Sequence, residues 1–366
     1  MSDIVLERAP SPTVIPPSIT PSATTQRTLP FVFTGKGGEY FKIWIVNVLL
    51  TIVTLGIYSA WAKVRNQQYF YGNTRLDNST FEYTAKPLQI LKGRLIAAAF
   101  LLAYMSMSTF FPIVGALLLV VLFAFFPLIL MLSMRFNARN TQYRNINLDF
   151  KGNAGGAYEA FLLYPIVGVI SVGLLIPFAW KKQFEYIVDN HSVGQETFNF
   201  SVGVGKYYRI FFVLLGLALA SILILSVLAG VFAAVGATMG LGVKSATLFM
   251  VPFMVGYLLM LVLFKSYFKT ATTNLIYNNT QVASHLFSSD WAFGSYLTLM
   301  VSNTLLIIIT LGLYIPFAKI KHAAYKARHT QFIAMGDLND LVNTEAKKST
   351  ALGEGISDVF SMDISI

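Results

Sequence analysis

Phe136-Asn137-Ala138-Arg139-Asn140-Thr141-Gln142-Tyr143 follows one long apolar stretch of the chain, and Tyr325-Lys326-Ala327-Arg328-His329-Thr330-Gln331-Phe332 follows another. Both read aromatic-x-Ala-Arg-Asn/His-Thr-Gln-aromatic. Looser copies follow three more stretches: Tyr69-(x3)-Asn73-Thr74-Arg75, Tyr186-(x3)-Asn190-His191-Ser192 and Leu275-(x3)-Asn279-Thr280-Gln281. A water-facing motif at five apolar ends predicts that all five ends lie on one side of a membrane.

The 366 residues are 55% hydrophobic and 12% charged, whereas about a quarter of a soluble domain is charged. Mean hydropathy is +0.62. The apolar runs are continuous, not alternating every second residue, which predicts an α-helical polytopic membrane protein rather than a transmembrane barrel. Seven membrane segments are expected, at 43–61, 95–111, 112–134, 160–180, 210–235, 247–264 and 295–318. The net charge of +10 clusters beside these runs, as an orientation signal does, so no nucleic-acid partner is expected. Absence of cysteine excludes disulfides, thiolate metal sites and cysteine nucleophiles. Residues 1–28 are rich in Pro, Ser and Thr and are expected to form a disordered tail; 336–366 read as a flexible acidic tail.

The segments repeat. Thr54-Leu55-Gly56-Ile57-Tyr58-Ser59-Ala60-Trp61-Ala62 aligns on its glycine with Val172-Gly173-Leu174-Leu175-Ile176-Pro177-Phe178-Ala179 and with Thr310-Leu311-Gly312-Leu313-Tyr314-Ile315-Pro316-Phe317-Ala318. Phe33–Tyr83 matches Phe150–Phe200 at a constant offset without a gap. Internal duplication is therefore expected, with repeats at 29–147 and 148–284 and a partial third at 285–335. Turn residues at Asp77-Asn78 and Gly194-Gln195 predict small cytoplasmic β-hairpin elements between the membrane segments.

Charge decides between two topologies. If all seven segments cross, the two sides carry 10 and 17 Lys and Arg. If 43–61, 160–180 and 295–318 leave on the side they enter, 26 lie together and only Lys244 lies opposite. The positive-inside rule favours the second arrangement. Gly56, Gly173, Pro177, Gly312 and Pro316 also suit broken, re-entrant elements. The expectation is five related helical hairpins, three shallow and two deep, with a cytoplasmic C-terminus. The rival is seven spans, because about 20 residues suffice to cross a bilayer core of roughly 30 Å.

Chemistry is sparse. No ionisable residue lies well inside any segment, which argues against a buried proton-coupling carboxylate or a charged ion pathway. Asn47 and Asn303 precede Gly56 and Gly312 by nine residues, with Tyr164 at the middle position. They are candidates for a polar cavity, against the simpler reading of interhelical hydrogen bonds. Lys63, Arg65, Lys181, Lys182, Lys319 and Lys321 stand where the repeated segments end. They are candidates to contact anionic lipid, against simple orientation signalling. Gly35-Lys36-Gly37-Gly38 and Gly152-Asn153-Ala154-Gly155-Gly156 lack the full phosphate-loop pattern and read as turns leading into helices. His191, His285, His322 and His329 have no metal-ligand spacing. No catalytic residue, cofactor or metal is expected.

Phe33-Thr34-Gly35-Lys36-Gly37-Gly38-Glu39-Tyr40-Phe41, then Thr54 to Arg65 and Tyr71-Gly72-Asn73-Thr74, resembles the YjgN-like family of bacterial inner-membrane proteins. The resemblance covers about residues 29–366, including Gly353-Glu354-Gly355. It implies a multi-pass protein of the bacterial inner membrane and supplies no activity or substrate. Repeats with broken segments are common in transporters, so a transporter or channel-like protein for an unknown solute or lipid is the first functional reading, by analogy. The alternative is a lipid-interacting or scaffolding protein whose partners are the bilayer and anionic lipid. An enzyme ranks last.

Overall fold

The computed structural model describes residues 26–240 and 243–336. Most of the expected N-terminal tail and nearly all of the C-terminal one lie outside the described residues; Gln26–Pro30 is strand β1. Phe31 alone separates β1 from β2 (Val32–Phe33).

Five helical hairpins follow, alternating with strands. The first is α1 (Gly37–Val53) and α2 (Ser59–Gly72), and it leads into β3 (Thr74–Leu76) and β4 (Ser79–Tyr83). The second is α3 (Pro87–Phe110) and α4 (Pro112–Arg139), leading into β5 (Thr141–Tyr143) and β6 (Ile146–Phe150). In the third, α5 (Ala154–Tyr158) runs through a π turn at Glu159–Leu163 into α6 (Tyr164–Ile170), and α7 (Ile176–Asp189) returns to β7 (His191–Val193) and β8 (Glu196–Phe200). The fourth is α8 (Val204–Thr238) and α9 (Val243–Tyr277), leading into β9 (Thr280–Val282) and β10 (His285–Ser289). The fifth is α10 (Phe293–Ile309) and α11 (Ile315–Arg328), which ends in β11 (Thr330–Met335).

The strands correct one expectation. They are not small separate hairpins between membrane segments but one antiparallel sheet of eleven strands, in the order β1-β11-β10-β9-β8-β7-β6-β5-β4-β3-β2. Its two end strands are consecutive in the chain, so the sheet nearly closes into a barrel-like ring. The physical reason lies in the edges. A lone two-stranded hairpin is marginal and leaves unpaired backbone groups on both flanks. Each hairpin here uses those flanks to bind its neighbours: Tyr83 faces Thr141, Phe150 faces His191, Phe200 faces Thr280 and Ser289 faces Thr330. The expected turns are present, and Asp77 and Asn78 take the left-handed φ of 46° and 61° that a two-residue hairpin turn needs.

Side chains fill the ring. Leu29, Leu76, Val282, Phe332 and Ala334 are buried together, with Phe31, Phe81, Tyr143, Phe198 and Phe287 packed against them. Phe81 stacks on Tyr143 at 4.8 Å and Phe287 meets Phe332 edge-on at 5.0 Å.

Below the strands the helices form a second ring. Each packs on its neighbours in chain order, and α11 closes on α1. The hairpins differ in depth. At about 1.5 Å per residue, α2, α7 and α11 are ~21 Å long, each having 14 residues. Among the described residues, four helices are long and apolar enough to cross a membrane: Pro87–Phe110, Pro112–Arg139, Val204–Thr238 and Pro252–Tyr277. In the second hairpin, close packing depends on Gly115, where a Cβ would lie 2.6 Å from the Ser108 Cα.

Candidate functional site

The opening motif is a helix ending. The Asn73, Asn140, Asn190 and Asn279 side-chain amides donate to the carbonyls of Tyr69, Phe136, Tyr186 and Leu275, four residues back, at 2.7–2.8 Å. Thr74, Thr141 and Thr280 hydroxyls donate to Phe70, Asn137 and Ile276 carbonyls at 2.7–2.8 Å. Carbonyls left over at a helix C-terminus are thereby satisfied just where the strand begins. The tyrosines of the shallow hairpins add a clamp. Tyr69, Tyr186 and Tyr325 hydroxyls donate to the Lys36, Asn153 and Ala292 carbonyls, the residues that precede the first helix of each hairpin. Gly152 lets the backbone pass beneath this clamp, since a Cβ there would lie 2.6 Å from the Tyr186 hydroxyl.

All five hairpins bury the same positions. The fourth residue after each helix N-cap is Tyr40, Ile90, Ala157, Tyr207 or Tyr296, and none exceeds 1% exposure. The residue fourteen before each strand-opening Thr or His is Ala60, Pro127, Pro177, Ser266 or Pro316, and each is fully buried.

The tips of the shallow hairpins share another geometry. Leu55, Val172 and Leu311 have φ of 50°, 53° and 48°, and each is followed by a glycine at 88–93°. The glycine N–H bonds back to Thr51, Gly168 or Ile307 at 2.8–3.0 Å. Thr54, Ser171 and Thr310 hydroxyls accept from Tyr58, Leu175 and Tyr314 at 2.9–3.0 Å, stitching the turn to the returning helix. The left-handed region costs a non-glycine residue about 1 kcal/mol or more, and β-branched residues most. Yet these three aliphatic side chains are 92–94% exposed.

No hydrogen bond joins the candidate polar-cavity residues to one another among the described residues. Asn47, Asn303 and Tyr164 lie in three different hairpins. Asn47 is buried and donates to Asn66 Oδ1 at 3.3 Å within its own hairpin. Tyr164 packs edge-on against Phe178 at 5.4 Å. Asn303 is buried, and its Oδ1, like that of Asn47, has no partner among the described residues.

The six candidate lipid-contacting cations divide. Lys181 and Lys182 share Glu185, Lys182 at 3.1 Å. Arg65 donates to the Tyr58 hydroxyl at 2.9 Å, and Lys321 lies 5.3 Å from the centre of the Tyr314 ring. Lys63 is half-buried, and burial followed by the nearby Arg94 lowers its pKa to about 8. Lys319 is exposed on α11, yet its surroundings are enclosed enough that desolvation lowers its pKa.

A further basic group escaped the sequence reading. His322 and Lys326 on α11 face Lys265 and Lys269 on α9, close enough for all three lysines to act on His322. Burial and then these lysines lower the His322 pKa to about 4, so the imidazole is neutral at pH 7; its Nε2 lies 3.0 Å from the Tyr296 hydroxyl. Its sequence signal was negative: no acidic residue occurs between Glu196 and Asp290, or between Asp290 and Asp337. No group of metal-binding residues forms among the described residues. A groove of about 410 Å³ on the strand ring is lined by Asn199, Asn278, Thr280, Gln281 and Ser288 among others.

Comparison with known proteins agrees with the membrane reading. A chain named inner membrane protein YjgN from Salmonella typhimurium (strain LT2) is 26% identical over 367 aligned residues, covering 87% of this chain and 91% of that one. The protein of the same name from Escherichia coli (strain K12) is 32% identical over 144 residues, covering 39% of this chain and 36% of that one. No solved structure matches. The family model described as bacterial protein of unknown function (DUF898) matches residues 28–359, and the chain therefore belongs to the DUF898 family.

Proposed function

We propose that this chain is a multi-pass inner-membrane protein that binds and organises lipid, built from five copies of one hairpin unit. The second and fourth hairpins cross the bilayer. The other three enter from the cytoplasmic face and return to it, and the strand ring and C-terminus lie in the cytoplasm. The observation that carries this reading is the set of exposed aliphatic tips. In water, a left-handed tip position favours Gly or Asn. Leucine and valine at Leu55, Val172 and Leu311, over 90% exposed, make sense where the surroundings are acyl chains.

The lipid reading is preferred to solute transport because the crossing helices are apolar all round. Ile222, Leu223 and Ile224 are consecutive and 58–66% exposed, as are Leu119 to Phe123 on α4 at 41–64%. Successive helical positions are about 100° apart, so such runs present apolar surface on every side. The aromatic filling of the strand ring likewise favours a closed cap over a conduit. All five hairpins would occupy the cytoplasmic leaflet and only two the opposite one, a wedge that displaces lipid unequally.

Topology tests this directly in a chain that lacks native cysteine. Gly38→Cys (where a side chain meets open space) and Arg65→Cys should label from the cytoplasmic side, and Phe111→Cys from the other. Labelling of positions 38 and 65 from opposite sides overturns the re-entrant arrangement. Solute flux through reconstituted protein, abolished by none of the tip substitutions, overturns the lipid reading.

A further inference from the structure

Charge is unevenly compensated around the helix ring. On the α4–α7 side the cations are matched. Arg135 donates to the Phe150 and Gly152 carbonyls at 3.2 and 2.6 Å, Arg139 pairs with Asp149 at 2.9 Å, and Lys181 and Lys182 share Glu185. On the α9–α11 side no carboxylate exists within the helices at all. Lys265 and Lys269 are spaced by four residues on α9, as are His322 and Lys326 on α11, so each pair lies on one helix face.

These two faces meet although α10 stands between their helices. Lys326 Nζ lies 6.0 Å from the centre of the Tyr277 ring at the end of α9. It also feels Tyr71 at the end of α2, on the far side of α1. A side chain that reaches past a neighbour in both directions lies on the inner side of the ring. Lys326, Lys269 and Lys265 are nonetheless exposed, so this inner side is open space rather than packed core. Against His322, at 6.0 Å between ring centres, lies Trp291; its indole is buried and its N–H has no acceptor among the described residues. Three ammonium groups with no carboxylate on the helices around them form a site complementary to an oxyanion.

We propose that Lys265, Lys269 and Lys326 bind a phosphate group on the inner side of the helix ring, and that its source is the headgroup of an anionic phospholipid. The inference rests on the lipid-binding reading and names its ligand. Position supports the lipid source. The ring closure places the fifth and first hairpins side by side, and both are shallow. In the proposed topology no crossing helix stands beneath these two hairpins, between α9 and α3, which leaves a lipid a sideways route. Lysine suits the role as a compact, flexible point charge for phosphate.

The test is native mass spectrometry of full-length protein extracted from vesicles containing equal phosphatidylglycerol and phosphatidylcholine, with a second arm adding inorganic phosphate. Wild type should retain phosphatidylglycerol preferentially. The Lys265→Gln/Lys269→Gln/Lys326→Gln variant should lose that preference at least tenfold, Lys→Arg at the same positions should keep it, and Lys151→Gln, at an exposed cation outside every candidate site, should match wild type. Equal loss in Lys151→Gln, or retention by the triple variant, overturns the site while leaving lipid binding standing. No preference in wild type overturns the lipid-binding reading. Displacement by millimolar phosphate that the triple variant abolishes assigns the site to free phosphate and rejects the lipid source. A melting temperature within a few degrees of wild type verifies that the glutamine variant is folded.

Discussion

Replacing Leu311 by Asn gives opposite results depending on what surrounds the hairpin tip. Leu311 holds a φ of 48° and is 94% exposed. Asn tolerates the left-handed region, so the substitution relieves about 1 kcal/mol of backbone strain. In water nothing opposes that gain, and the protein becomes more stable. In hydrocarbon, losing the leucine forfeits about 1.5–3 kcal/mol. Placing an unpaired carboxamide there costs about 2 kcal/mol or more. The net effect is destabilisation by about 3 kcal/mol. At roughly 2–4 °C per kcal/mol for a chain of this order of size, the melting temperature falls by about 6–12 °C. Thermal unfolding of the protein in lipid nanodiscs reads the sign directly. Leu55→Asn and Val172→Asn should act alike, with Val172 showing the largest relief because a β-branched residue fits the left-handed region worst. A raised melting temperature in nanodiscs for all three variants would falsify the insertion of these tips.

Other substitutions probe the fold. Gly115→Ala places a Cβ 2.6 Å from the Ser108 backbone; α3 and α4 must separate, lowering stability by about 1–3 kcal/mol, read as reduced resistance to unfolding in nanodiscs. Tyr69→Phe, Tyr186→Phe and Tyr325→Phe each remove one clamp to the start of a shallow hairpin and should destabilise by about 1 kcal/mol, additively because they lie in different hairpins. His322 has a folded pKa lowered to about 4 from 6.5. The unfolded chain then binds the proton first, so stability is full above pH 6.5 and declines as pH falls toward 4. His322→Gln should flatten the melting-temperature profile across that window, and an unchanged slope would remove His322 as its source.

Much of the architecture was legible. The motif marked five helix ends because short polar side chains satisfy leftover carbonyls where a helix stops before a strand: an Asn-Thr pair does so at three ends and Asn190 with His191 at a fourth, while at the fifth His329 turns instead to Asp290. Gly56, Gly173 and Gly312 marked the shallow tips because a chain reversing there needs a left-handed φ after the last helical residue. Asn47, Asn303 and Tyr164, candidates for one cavity, lie in three different hairpins and share no hydrogen bond among the described residues. The basic group on α9 and α11 was invisible because its members lie in two separate parts of the chain, and only the packing of α9 and α11 on either side of α10 makes them neighbours.

Periodicity, charge placement and the repeated motifs, all local properties, determined by themselves that the chain is helical, apolar and built of unequal stretches. Only the tertiary structure decided that the strand pairs join into one ring of eleven. Strand pairing between hairpins depends on backbone groups that every residue possesses, and those groups leave no signature in side-chain sequence. The same closure brought the first and last hairpins side by side, and the packing of the fourth hairpin on the fifth turned scattered lysines into a shared face.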